Sequence, residues 1–239
     1  MSNKVLIQTL NAGIKNKVND TVCFKLPKSS TVSVIFTKNK FPAAPVIIAK
    51  KNIKLKKPKY LFINSGNANA CTGKQGIKNT IDYLSIISNK LNCKKEEVLP
   101  FSTGIIGKQF PMKNIVNKLN SQNFKFNSTW TSASKTIMTT DKFNKIINRN
   151  ININNHKISV TAICKGAGMI EPNMATMLAF ISLDIKINKL NLNKLLKKCA
   201  ESSFNSISVD GDMSTNDSVA MIATGANSHL NFDNNKKLF

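Results

Sequence analysis

The chain has 239 residues, 41% of them hydrophobic and 7% aromatic, enough to bury a core in one large domain or two small ones. Its formal net charge is +23, yet Arg149 is the single arginine, which argues against a nucleic-acid reader built on bidentate guanidinium contacts. No apolar run approaches the roughly 18 residues of a membrane span, and the start MSNKVLIQTLNAG has neither a signal-peptide core nor an Arg-rich transit pattern, so a cytoplasmic protein without nucleic-acid or membrane partners is expected.

In chain order, residues 31–37 (TVSVIFT) read as a strand by their β-branched content. The dense basic run KKNIKLKKPK, residues 50–59, reads as a solvated loop or strand edge. Residues 60–64 (YLFIN) read as a buried strand ending in the turn-rich SGNANACTG. A helix is predicted from about 75 to 91, because Ile77, Ile81, Leu84, Ile87 and Leu91 fall at three- and four-residue spacing. Residues 97–102 read as a strand followed by a turn at TGIIG, and Pro111 opens a helix to about 120. Residues 129–140 are ambiguous, with helix favoured. Residues 157–164, 176–185 and 217–223 read as strands, and a helix from about 191 to 204 carries Leu192, Leu195, Leu196 and Cys199. Strands and helices mix throughout, which indicates a layered α/β or α+β protein.

The five cysteines, Cys23, Cys71, Cys93, Cys164 and Cys199, are widely spaced with no C-x-x-C pair, which suits a reducing compartment and neither a disulfide framework nor a zinc site. The two histidines, His156 and His229, lie in Asn-rich stretches outside any metal pattern. An enzyme of this composition therefore takes its base from elsewhere.

The informative segment is KGAGMIEPNMATMLAFI, residues 165–181: a Gly-rich turn, a Pro-bounded loop, and a strand beginning near Thr176. By pattern alone it reads as a turn and a core strand with an incidental threonine. Its KGAGMIEPNMATM portion, however, resembles the signature of the glutamate/ornithine N-acetyltransferase family of arginine biosynthesis. The resemblance extends through NAGIKNK (11–17), FTKNKFPAAPV (36–46), INSGNANACTGKQG (63–76), FSTGIIGKQFPM (101–112), IMTTD (137–141) and VDGDMSTND (209–217), in the family's order.

The resemblance implies an αββα-type sandwich of the self-processing ornithine acetyltransferase and aminopeptidase fold. It implies cleavage between Ala175 and Thr176, with residues 1–175 as the α-chain-like portion and 176–239 as the start of a β-chain. Thr176 resembles the nucleophile, Thr103 and Gly104 the oxyanion-hole pair, and Thr139 and Lys165 substrate-binding positions. The implied reaction is ping-pong acetyl transfer from N-acetyl-ornithine to glutamate in an α2β2 assembly, with no metal or bound cofactor; some family members also use acetyl-CoA as a co-substrate. Family members continue past the position of Phe239, so the resemblance implies a C-terminally truncated chain. A related N-terminal-nucleophile hydrolase such as an aminopeptidase, an inactive truncated remnant, and a basic nucleic-acid-binding module are the alternative readings. For the INSGNANACTGKQG segment, small and amide side chains suit tight turns near a site, and structural support is the favoured role. Cys71 within it has no nearby histidine and is not read as a nucleophile.

Overall fold

The computed structural model describes residues 4–153, 156–169 and 177–234. Strands β1 (Leu6–Leu10), β2 (Thr21–Lys25), β4 (Tyr60–Asn67) and β5 (Val98–Ile105) form one sheet in the order β1-β2-β4-β5. Strands β3 (Thr31–Phe36), β6 (Lys145–Ile153), β7 (His156–Lys165), β8 (Leu178–Lys186) and β9 (Ser218–Asn231) form a second, in the order β3-β9-β8-β7-β6. The sheets pack face to face with helices outside, an αββα sandwich.

Strands β2, β4 and β5 are buried along nearly their whole length because both of their faces are covered. Alternate residues serve different layers. Val22, Phe24, Leu61, Ile63, Leu99 and Phe101 point into the inter-sheet core, where they meet Val32, Ile163, Phe180 and Ile222. Phe101 and Phe180 close that core edge to face, with ring centroids 5.2 Å apart. Cys23, Tyr60, Phe62 and Val98 face outward under the helices α1 (Ala44–Leu55), α2 (Gly73–Lys90) and α3 (Met112–Ser121). The five residues at helical spacing in 77–91 all belong to this outer layer. A shorter helix, α4 (Trp130–Thr136), sets Ala133 and Ile137 against the inter-sheet core. The second sheet carries α5 (Lys189–Glu201) on its outer face.

Two expectations are corrected. The basic run 50–59 is not loop throughout: α1 extends to Leu55, burying Val46, Ala49 and Asn52 while Lys51 and Lys54 face solvent. TGIIG is not a turn from its start, because β5 runs through Thr103 and Gly104 to Ile105 in parallel with β4. Gly104 can stay in the strand only as glycine. Its φ is +130°, and an added Cβ would lie 2.3 Å from the Gly66 carbonyl carbon and 2.5 Å from the Asn67 nitrogen. Strands β1, β2 and β6 and the first half of helix α1 carry no sequence prediction, and β9 continues to Asn231, beyond the predicted 223. Among the described residues no helix is long and apolar enough to cross a membrane.

Candidate functional site

A cavity of about 790 Å³ opens where the C-terminal ends of β4 and β5 meet the β7–β8 end of the second sheet. It brings together Thr103, Gly104, Thr139 and Lys165, four of the site residues expected from the sequence, across up to 62 positions of chain from Thr103 to Lys165. Ala175 and Thr176 lie outside the described residues. The next residue, Met177, is buried and donates its N–H to Asp217 Oδ1 at 2.8 Å. It leads into β8, whose Leu178 pairs with Lys165 of β7.

The first wall belongs to the sheet of β4 and β5 and is held by amides. Past β4 the backbone takes left-handed conformations at Asn69 (φ 47°), Cys71 (φ 56°) and Gly73 (φ 59°). The Asn67 side chain accepts from Asn69 N–H at 2.7 Å and donates to the Lys108 and Gln109 carbonyls. Asn69 Nδ2 donates to the Gly76 carbonyl and Thr80 Oγ1, while Thr72 Oγ1 donates to Asn69 Oδ1. Asn216, reaching in from the segment before β9, donates Nδ2 to the carbonyls of Ala68 (2.7 Å) and Ser102 (3.0 Å) and to Ser102 Oγ (2.7 Å). The INSGNANACTGKQG segment is thus a structural brace behind Thr103 and Gly104. Cys71 is exposed and does not line the cavity.

The second wall is charged and buried. Lys165, 4% exposed, donates Nζ to Thr103 Oγ1 at 3.1 Å. The two ion pairs among the described residues, Lys59–Glu97 and Lys145–Asp141, do not include it. Burial holds its ammonium below the usual lysine range, against the attraction of Asp141 and Asp217. Burial likewise pushes the Asp217 carboxyl up to about 8, although Met177 N–H, Ser214 and Lys165 all favour its charge. Asp141 shows the opposite balance. Burial would raise it, but Lys145 at 2.6 Å, Gly166 N–H at 2.8 Å, the Lys165 charge and Thr139 N–H together hold it below the ordinary carboxylate value. Lys15 completes the rim, donating Nζ to the carbonyls of Met138 (2.7 Å) and Thr136 (3.3 Å), and burial lowers its pKa too. At the mouth, Met169 N–H donates to Asp210 Oδ2 at 3.0 Å.

Lys15, Asp141, Asn216 and Asp217 lie within the family-like stretches of the sequence but are not among its candidate site residues. The available signal was local: polar residues directly abutting predicted apolar strands, as Asp217 abuts SVAMIA. His229 is exposed, and no cluster of metal-ligating side chains occurs among the described residues.

Comparison with known proteins bears on this geometry. Residues 6–239 match the model of the ArgJ family. A relative from Dictyostelium discoideum, arginine biosynthesis bifunctional protein ArgJ, mitochondrial, is 43% identical over 235 residues, covering 96% of this chain and 53% of the relative. The crystal structure of arginine biosynthesis bifunctional protein argJ from Bacillus halodurans superposes with a TM-score of 0.63 at 31% identity, covering 72% of this chain and 91% of that one. An ornithine acetyltransferase from Mycobacterium tuberculosis, solved in complex with ornithine, gives a TM-score of 0.58 at 25% identity, with 70% and 91% covered. The chain spans about half the length of the curated relatives it matches.

Proposed function

We propose, from the premise that this chain belongs to the ArgJ family, that its cavity is an acetyl-transfer site working through Thr176. The observation that carries the reading is the meeting of Thr103, Gly104 and Lys165 in one cavity, with Lys165 paired across the sheet to Leu178, two residues beyond Thr176 in the sequence.

In the first event the Thr176 hydroxyl attacks the Ala175 carbonyl carbon. The peptide nitrogen leaves as the new α-amine, and water opens the resulting ester. That α-amine has a reference pKa near about 8, so a useful fraction is neutral at physiological pH and serves as the general base. In the second event it takes the hydroxyl proton as Thr176 attacks the acetyl carbon of N-acetyl-ornithine. The proton passes to the departing ornithine amine, leaving an acetyl ester on Thr176. Glutamate then enters with a neutral amine, attacks the ester and leaves as N-acetylglutamate, while the Thr176 oxygen recovers a proton.

Each tetrahedral intermediate carries an oxyanion, for which Thr103 O–H and Gly104 N–H are the donors. Removing one such donor typically costs about 3–4 kcal/mol in the barrier. Because Thr103 Oγ1 accepts from the Lys165 ammonium, its own proton is polarised outward and is a stronger donor. Lys165 is the cation for an amino-acid α-carboxylate, and Thr139 shapes the cavity wall beside it. Neither a metal nor a bound cofactor enters the scheme; acetyl-CoA is a candidate co-substrate for acetylating glutamate. Residues 178–186 and 218–231 form strands inside the second sheet, flanked by β3 and β7, which supports an α-like and a β-like piece remaining interleaved after cleavage and entering an α2β2 assembly. The five unpaired cysteines suit a reducing compartment, and we assign the cytoplasm.

The test is the mass of the purified protein. Two chains divided at Ala175–Thr176 are expected, with Thr176→Ala giving one uncut chain, and labelled N-acetyl-ornithine should leave an acetyl group on Thr176. Uncut protein, or label on another residue, overturns the nucleophile. Hydrolysis of the acetyl ester with no transfer to glutamate replaces the transferase with an N-terminal-nucleophile hydrolase.

A further inference from the structure

The loop between β1 and β2 places one lysine at the cavity. Asp20, fully buried, accepts from the backbone N–H groups of Ala12 (2.7 Å), Ile14 (2.7 Å) and Lys15 (2.9 Å), which fixes the loop against the end of the first sheet. The Lys15 stem then crosses Gly66 of β4: a Cβ on Gly66 would lie 3.0 Å from Lys15 Cγ and 3.5 Å from its Cε. Gly66 pairs with Gly104 of β5, so the stem runs beside the wall that carries Thr103 and Gly104. Its ammonium ends against the stretch that leads into Thr139, donating to the Met138 and Thr136 carbonyls.

Those bonds leave one of the three Nζ donors of Lys15 without an acceptor among the described residues. Lys15, like Lys165, belongs to neither ion pair among them, and both lysines line the cavity. Asp20 and Asp141 attract the Lys15 ammonium but are engaged elsewhere, Asp20 with its backbone N–H groups and Asp141 with Lys145 and Gly166 N–H. The two ammoniums also repel each other. The cavity thus holds two partly desolvated cations reaching it from different sheets. A ligand with two carboxylates offsets that cost at both, and a ligand with one carboxylate and a cationic side chain offsets it at one only.

We propose that Lys15 determines specificity for the acceptor amino acid: it pairs with the side-chain carboxylate of glutamate while Lys165 holds the α-carboxylate. The same ammonium disfavours the cationic side chain of ornithine. This role rests on the acetyl-transfer reading of the cavity, from which Lys165 takes its own.

Dissociation constants of glutamate, glutamine and ornithine, measured on the purified protein and its variants, test the assignment. Glutamine has the shape of glutamate without the second charge. The wild-type protein should bind glutamate about tenfold more tightly than glutamine, the scale of one half-buried ion pair. Lys15→Met, whose unbranched side chain keeps a stem over Gly66, should bring glutamate down to the level of glutamine and leave ornithine unchanged or tighter. Lys15→Arg should keep the preference for glutamate, and Lys165→Met should weaken all three ligands, since each has an α-carboxylate. Wild type that binds glutamate and glutamine alike, a preference that survives in Lys15→Met, or an equal loss of all three ligands in Lys15→Met overturns the proposal; the last would make Lys15 a brace for residues 136–138. Wild type that binds none of the three, or Lys165→Met that binds all three as before, refutes the amino-acid site itself, and the role of Lys15 falls with it.

Discussion

The two walls of the cavity are built on opposite electrostatic plans. Behind Thr103 and Gly104 stand neutral amides and hydroxyls with their hydrogen bonds made to backbone: Asn67, Asn69 and Asn216 each bind groups from separate stretches of chain. Across the cavity, Lys165 and Asp217 are charge-bearing groups held where charge is penalised, and both are shifted toward their neutral forms. The neutral wall fixes geometry because every small displacement breaks satisfied bonds in a low-dielectric setting. The charged wall stores a functional potential at the expense of stability, as binding sites commonly do. Substitutions on the first wall should therefore damage folding, and those on the second should damage function first.

Gly104→Ala gives the largest expected effect. The new methyl would meet backbone atoms of Gly66 and Asn67 at 2.3–2.7 Å, which no rotamer change relieves, at a φ of +130° that disfavours any side chain. Overpacking and backbone strain together should cost about 3 kcal/mol or more. A fall in the urea midpoint is the readout. A midpoint within error of wild type would mean that the ends of β4 and β5 separate readily, and the fixed-wall description would fail.

The same contrast explains what was legible in the sequence. Elements whose apolar residues carry a clean pattern were readable: α2 from Ile77, Ile81, Leu84 and Ile87, and β8 from the apolar run Leu178–Ile181 followed by Leu183 and Ile185 at alternate positions. Helix α1 was hidden because Lys50, Lys51 and Lys54 crowd its visible half, although Ala44, Pro45, Val46, Ile48, Ala49 and Asn52 make its buried side. Strand β6 was hidden because Asn and Arg alternate with Ile on a sheet edge that solvent reaches. The strand character of Thr103 and Gly104 was masked by glycine's usual association with turns, which a close approach of two backbones overrides here. For the site, resemblance named Thr103, Gly104, Thr139 and Lys165, and the structure brings them together. Asp217 could not be paired with Lys165 from the sequence, because their proximity depends on β8 and β9 lying side by side.

Asp217→Asn probes the charged wall through pH. The folded carboxyl titrates near 8, against about 3.9 when unfolded. Between those values the folded protein holds a proton that the unfolded chain has released. Stability therefore falls as pH rises through this window, by at most about 1.4 kcal/mol per pH unit, and levels off above it. Asparagine keeps an acceptor for Met177 N–H and has no proton to lose, so the variant should flatten this decline and gain on wild type at pH 8 relative to pH 5. Urea midpoints at the two pH values measure it. Parallel curves for both proteins would show that Asp217 is already ionised at pH 5.

Lys165→Met should have the smallest effect on stability and the opposite sign. The ammonium is buried, forms no ion pair among the described residues, and has Thr103 Oγ1 as its hydrogen-bond partner. A methionine of similar length removes the desolvation penalty while filling the same space, so the variant should be more stable at pH 7 by about 1 kcal/mol. Because the folded pKa of Lys165 is depressed, the native ammonium deprotonates before the unfolded one. The wild-type deficit is then full below that folded value and fades as pH rises toward the unfolded value near about 10.4, so the variant's advantage should fade over the same interval. Acetyl labelling of Thr176 should fall sharply in the same protein, since both the carboxylate partner and the polarisation of Thr103 are lost. A variant that is less stable than wild type would show that attraction to Asp141 and Asp217 outweighs burial. The second wall would then be a structural ion network, and the contrast between the two walls would disappear.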